Sequence, residues 1–175
     1  MNEVDNKLHT DMIKSNANIN NSIKNKQENK YLIFQLNELL YGFDIMNVIE
    51  IIEYKVPTKV PNLPLFVHGL LNLRGKVLPV IDFNLYLGKT ATVISRKTCI
   101  VIINYLLKGQ INNLGILVDN VLDVLEVQAE NLESTPNFGV NIKPEFVKNM
   151  FIFNNQIIIL LKIDNIFIQP ILEQS

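Results

Sequence analysis

Gly42-Phe43-Asp44-Ile45-Met46-Asn47-Val48-Ile49-Glu50-Ile51-Ile52 lies over Gly115-Ile116-Leu117-Val118-Asp119-Asn120-Val121-Leu122-Asp123-Val124-Leu125 at a constant offset of 73 residues. Glycine, Asn, Val and an acidic residue recur at the same places, with apolar residues at most of the others. Any two β segments share apolar alternation; the coincidence of glycine, Asn and an acid marks a duplication. Further along, Val80-Ile81-Asp82 matches Lys162-Ile163-Asp164 at an offset of 82, which gives the second copy about nine more residues in a proline loop. Each copy reads strand, turn, strand, crossing, hairpin, short helix.

Outward from that stretch, short β-branched and aromatic runs are broken by turn residues. Tyr31–Leu36, Asn37-Glu38 and Leu39–Phe43 read as a hairpin. Asp44–Glu53 reads as a short helical or irregular crossing, and Pro57, Pro61 and Pro64 exclude regular helix after it. Gly69–Arg74, a turn at Gly75-Lys76 and Val77–Ile81 form a second hairpin, with Pro79 placing its strand at an edge or bulge. Asp82 is an N-cap for a helix of one to two turns ending at Gly88. The second half follows the plan: strands Cys99–Leu106 and Leu114–Val118 joined through Lys108-Gly109, a crossing over Val118–Val124, and a loop with Pro136 and Pro144. A hairpin of Phe151–Phe153 and Ile157–Ile163 turns at Asn154-Asn155, and a final helix capped by Asp164 runs toward Leu172.

Short strands in this number imply a mainly β protein of small barrels. Two barrel-like lobes, about 31–90 and 98–165, are each near the lower size limit for an independent core. They are therefore expected to pack around a shared core, with a groove where the two convex lobes meet. Residues 1–30 stand apart, with eight Asn, five Lys and no aromatic residue. Such a segment cannot bury enough surface to offset its ordering entropy, so it reads as a disordered tail or a loosely docked helix.

Composition narrows the function. The 175 residues carry a formal net charge of −1, without the basic face a nucleic-acid binder needs. One cysteine makes no internal disulfide, and the aliphatic run Ile157–Leu161 is far short of the roughly 20 residues of a spanning helix. The expectation is a cytoplasmic protein. Catalytic groupings are sparse: His68 is the body's single histidine, Cys99 sits in an apolar strand where burial raises a thiol pKa, and the seven glycines form no phosphate loop. No metal or cofactor is called for, and the chain reads as no enzyme. Glu50 and Glu53 read as surface and packing residues.

Interaction features are richer. Lys outnumbers Arg by 14 to two, so Arg74 suggests a position that needs a planar, multi-donor group. It can reach across the lobe to a carboxylate, Glu50 being the best candidate, or it can be a solvated hairpin residue. The apolar, proline-stiffened Val56–Val67 segment can dock a partner at low entropic cost or cover a barrel end.

Taken together, Tyr41-Gly42-Phe43-Asp44-Ile45, Val48-Ile49-Glu50-Ile51, Pro61–Gly69, Asn72-Leu73-Arg74-Gly75-Lys76-Val77-Leu78-Pro79-Val80-Ile81-Asp82, Gly115–Val121 and Pro136-Asn137-Phe138 resemble the bacterial chemotaxis coupling proteins of the CheW type. The resemblance runs from about Tyr31 to Leu172. It implies two intertwined SH3-like five-stranded β-barrels and a non-enzymatic adaptor that joins chemoreceptor cytoplasmic helical hairpin tips to the regulatory domain of the histidine kinase CheA. Rings with other coupling proteins, and residence in receptor arrays at the inner face of the membrane, belong to the same implication. It places Val48 on the receptor-binding surface, Glu50 and Arg74 in an ion pair near it, and Gly69 and Asn72 in the same neighbourhood. Two departures are the Asn/Lys tail and Asn149-Met150, where many relatives have a glycine-containing turn. The alternatives are the coupling half of a CheV-type coupling–receiver fusion, for which a receiver would have to follow Ser175, and, from a different class, a small β-barrel enzyme or nucleic-acid binder.

Overall fold

Ten strands and two single-turn helices alternate along the chain in a computed structural model, which describes residues 29–134, 142–167 and 171. The strands are β1 Lys30–Leu36, β2 Leu39–Asp44, β3 Val48–Glu53, β4 Val67–Leu73, β5 Lys76–Asp82, β6 Cys99–Leu107, β7 Gln110–Val118, β8 Asn120–Glu126, β9 Val147–Phe153 and β10 Gln156–Leu161. Helix α1 is Phe83–Tyr86 and α2 is Ile163–Ile166. Four hairpins start their turns in the left-handed region, at Asn37 (φ 54°), Arg74 (52°), Lys108 (49°) and Asn154 (49°). Such turns match the twist of the strands they join. The β4–β5 turn is thus Arg74-Gly75, one residue earlier than expected.

Both crossings differ from expectation, because they are strands. Val48–Glu53 is rich in β-branched residues, alternates in burial, and finds a partner in β6. Only Ile45–Asn47 is helical, a 3-10 turn whose cap, Asp44, accepts the Met46 N–H at 3.0 Å. Its counterpart β8 pairs with β1.

The strands form two five-stranded sheets, β8-β1-β2-β10-β9 and β3-β6-β7-β5-β4. Exchanging β1–β5 with β6–β10 converts one order into the other, so the duplication is complete at the level of topology. Each sheet draws strands from both halves of the chain. The lobes are therefore intertwined rather than the contiguous segments 31–90 and 98–165. Neither barrel is closed by its named strands; single bridges, Thr58 to Leu70 and Glu133 to Met150, tie the segments after β3 and β8 to β4 and β9.

Register corrects the alignment of the copies. Gly115 stands opposite Val80 and Gly42 opposite Leu160, so β5 and β10 correspond at an offset of 80. The same offset relates two backbone bonds, Asp82 N–H to Phe66 C=O and Lys162 N–H to Phe146 C=O, both 2.8 Å. Lys162, not Asp164, precedes α2 as its cap; Asp164 accepts the Leu106 N–H at 2.9 Å instead. The second copy's proline loop is longer by seven residues (80 against 73) rather than nine. Helix α2 stops at Ile166, and the stretch toward Leu172 lies mostly outside the described residues, as do residues 1–28 and Pro136-Asn137-Phe138.

Where interior strands are buried on both faces, as over Leu114–Val118 of β7, they are apolar or glycine on both. Leu32, Phe34, Val101, Ile103, Leu114 and Ile116 belong to one core that both sheets share. Their neighbours along the strand turn the other way: Tyr31 and Ile33 enter the core of the first sheet, Ile100 and Ile102 that of the second. The paired glycines sit where strands approach closely. A Cβ on Gly42 would lie 2.6 Å from Leu160 Cδ2, and one on Gly115 would lie 2.8 Å from Ile100 Cγ2. At the start of α1, Asp82 caps the Leu85 N–H at 3.3 Å and accepts Thr92 N–H at 2.9 Å, holding the linker between the two copies.

Pro79 explains a break in the second sheet. Strand β5 is interior by strand order, yet it meets β7 only from Val80 to Asp82. Leu70, opposite Pro79, donates its N–H to the Thr58 C=O and accepts the Thr58 N–H, each at 2.8 Å. The proline nitrogen therefore faces β7, where it has no proton to donate. Over Lys76–Pro79, β5 does not pair with β7, so the edge expected at Pro79 is local rather than a property of the whole strand.

Candidate functional site

Between the tips of the β4–β5 and β6–β7 hairpins lies a groove of about 850 Å3. Leu78 and Ile102, from that sheet's own core, reach it, and Tyr105 and Ile171 bring in the shared core. Its strand residues all come from one sheet, so the groove that gathers the candidate residues opens within a lobe, not between two.

Arg74 and Glu50 close one side. Arg74 Nη2 donates to Glu50 Oε2 at 3.0 Å, joining the β4–β5 turn to β3 across the lobe. The arginine side chain is 80% exposed and the glutamate 23%. An exposed pair contributes only about 0–1 kcal/mol. Arg74 also occupies a left-handed turn position that favours glycine or asparagine, which costs roughly 1–2 kcal/mol. A stability role accounts poorly for an arginine here; a presented guanidinium accounts for it better.

The other predicted residues do not line the groove. Val48 is half-buried, opposite Ile103, and packs on the shared core next to the exposed Ile49. Asn72 Oδ1 accepts the Gly75 N–H at 3.1 Å and so sets the turn that carries Arg74. Gly69 is buried; with φ 153° and Thr58 C=O only 2.7 Å from where a Cβ would stand, it lets the Pro57-Thr58 segment dock on β4. Glu50 and Glu53 fall on opposite faces because the crossing is a strand, with Glu53 exposed.

Sequence reasoning missed Lys76, Val77, Lys108 and Ile111, all exposed and all on the groove's rim. The available signal was Ile111, isolated among Gln110, Asn112 and Asn113. That polar run hid the first four residues of β7, which β6 holds by pairing.

Two reactive side chains lie elsewhere and are quiet. His68 Nε2 is 3.0 Å from the Tyr54 hydroxyl, and burial is the main reason its pKa is lowered, with Asp82 opposing and Lys59 adding. Burial likewise pushes the Cys99 thiol up. Among the described residues, no three His, Cys, Asp or Glu side chains come together as a metal site would need. No helix there is long and apolar enough to cross a membrane.

Fold and groove define a class: a duplicated β scaffold of two intertwined sheets that presents a rim of apolar and cationic side chains. Residues 30–170 match the family model described as the CheW-like domain. The chain belongs to the CheW-like family. It is 33% identical over 137 residues to the chemotaxis protein CheW of Klebsiella aerogenes, covering 78% of this chain and 80% of that protein. It is 32% identical over 143 residues to the chemotaxis protein CheW of Thermotoga maritima, covering 80% and 88%. Among solved structures it is similar to the scaffolding protein TtCheW of Thermoanaerobacter tengcongensis, with a TM-score of 0.70 and 33% identity, over 80% of this chain and 88% of that one.

Proposed function

We propose that this protein is a non-enzymatic chemotaxis adaptor, a cytoplasmic component of receptor arrays. It joins chemoreceptor cytoplasmic hairpin tips to the regulatory domain of CheA and supports kinase activation. One observation carries the reading: an arginine kept in an unfavourable turn conformation, paired to Glu50 at one side of a groove whose rim presents apolar and cationic side chains to solvent. Family membership over residues 30–170 supports it. An adaptor holds two partners in one geometry, raising their effective concentration and favouring one kinase conformation. Apolar contacts supply affinity and rim charges supply register.

The test is CheA autophosphorylation in receptor-containing membranes, with and without this protein. Added protein should raise the rate. Arg74→Ala should remove most of that increase while changing unfolding free energy by less than about 1 kcal/mol. A folded Arg74→Ala variant that activates fully removes Arg74 from the receptor surface; no activation by the wild type removes the adaptor reading.

A further inference from the structure

The groove's charge does not match that of the chain. Arg74, Lys76 and Lys108 line it against a single carboxylate, Glu50, while the whole protein has a formal net charge of −1. Glu50 is already engaged by Arg74, and Lys76 and Lys108 have no carboxylate partner among the described residues. Between these cations stand Val77, 65% exposed, and Ile111, 77% exposed, on the two facing hairpin tips. Apolar side chains so exposed, framed by like charges, suit an occupant with an apolar stripe and opposite charges beside it. Because Pro79 keeps β5 from pairing with β7 along this stretch, the two tips stay apart and the floor, Leu78 and Ile102, is reachable. A concave site with an apolar floor favours a protein segment over a membrane surface.

We propose that the groove takes an acidic amphipathic helix, its apolar stripe against Val77 and Ile111 and its carboxylates against Lys76 and Lys108. This rests on the adaptor reading and adds to it the residues that choose among receptor tips: the favoured tips carry Asp or Glu beside the apolar stripe. Arg74 anchors; the two lysines select.

The test measures binding of a chemoreceptor cytoplasmic-tip fragment to the full chain at 50 and 300 mM NaCl. Wild type, Lys76→Gln/Lys108→Gln and Ile111→Asn are compared, each checked for an unchanged thermal transition. Two exposed charge pairs correspond to a loss of about fivefold to tenfold at low salt for the double lysine variant. That variant should also have a flatter salt dependence, since screened rim charges carry it. Ile111→Asn should weaken binding at both salt concentrations and keep the wild-type slope. If the lysine variant keeps wild-type affinity and slope while Ile111→Asn is weakened, the charge selection fails and the groove stands. If Ile111→Asn binds as wild type does, or the wild type does not bind, the groove reading fails with it. Sedimentation with anionic phosphatidylserine vesicles in place of the fragment, lost in the lysine variant, would overturn the helix in favour of a lipid surface.

Discussion

In the β8-β1-β2-β10-β9 sheet, Ile159 stands opposite Tyr41 in the middle of the parallel pair; its counterpart in the other sheet is Pro79, where pairing has not yet begun. Around that difference the two sheets diverge. Arg74 is replaced by Asn154 in the equivalent turn, and Glu50 by Asp123, whose Oδ1 accepts its own neighbour's Val124 N–H at 2.7 Å instead of reaching across. Strand order, the bulged residues His68 and Lys148, and the glycines against β5 and β10 are common to both. The duplication thus preserves what builds a lobe and varies what its open end presents. A one-sided feature that contributes little to stability, as the Arg74–Glu50 pair does, is better explained by function.

The largest expected effect separates the lobes at Gly69 and its counterpart Asn149. Gly69→Ala puts a Cβ against the Thr58 carbonyl, a backbone atom that cannot step aside, at a φ that disfavours a side chain. The expected loss is about 2–3 kcal/mol, or a melting temperature lower by roughly 4–10 °C. Asn149→Ala removes only a long 3.5 Å bond to Glu133 C=O and should change stability by less than about 0.5 kcal/mol. Thermal unfolding of the two variants checks this. Equal losses would mean that the Pro57-Thr58 segment is not docked as closely as the bridge from Thr58 to Leu70 implies.

A smaller effect should follow from making the sheets alike. Pro79→Ile returns an N–H on the side facing β7. The new hydrogen bond contributes about 1 kcal/mol, and losing the proline's constraint on the unfolded chain costs about 0.4–1 kcal/mol, so stability should barely move. The groove should nevertheless narrow, with slower amide exchange over Ile111–Leu114 and receptor-tip binding weaker by about tenfold. Unaltered exchange there would show that something other than the proline holds the hairpin tips apart.

How far the sequence shows this asymmetry depends on which physical cue carries each part. Duplication was legible because close strand approach demands glycine at both Gly42 and Gly115, and few other residues satisfy it. Arg74 was legible as a candidate because the guanidinium is rare in a lysine-rich chain, but its bond to Glu50 was one of two open readings that the structure decides. The crossings were misread because Glu50 and Glu53 stand three apart, so β3 shows no apolar–polar alternation in sequence, and only pairing with β6 decides in favour of strand. Interleaving of the two halves was implied only by the family resemblance; the residues themselves suggested contiguous lobes. The parallel contacts of β2 with β10 and β5 with β7 join residues far apart in sequence, and no local pattern encodes them. Lys76 and Lys108 read as ordinary hairpin lysines until the sheet placed their tips around one groove.

The smallest effect concerns the bulges. His68 in one sheet answers to Lys148 in the other, each the extra residue between paired positions. Lys148 lies 3.5 Å from Asp44 Oδ2 and above the Tyr31 ring. His68 is half-buried beside Tyr54, and desolvation disfavours its imidazolium more than Asp82 favours it, so its folded pKa lies below the ordinary 6.5. The folded state then holds fewer protons on this ring than the unfolded chain does. Its stabilising contribution is whole above about pH 6.5 and declines as pH falls, whereas carboxylates protonate mainly below about pH 5. Between about pH 7 and 5, stability should therefore drop modestly in the wild type and less in His68→Gln, while Lys148→Gln keeps the wild-type slope. Denaturant titrations across that range measure it. A slope untouched by His68→Gln would place the proton uptake elsewhere and leave the two bulges equivalent toward pH. A slope lost in that variant alone would add pH response to the features that one sheet has and its copy lacks.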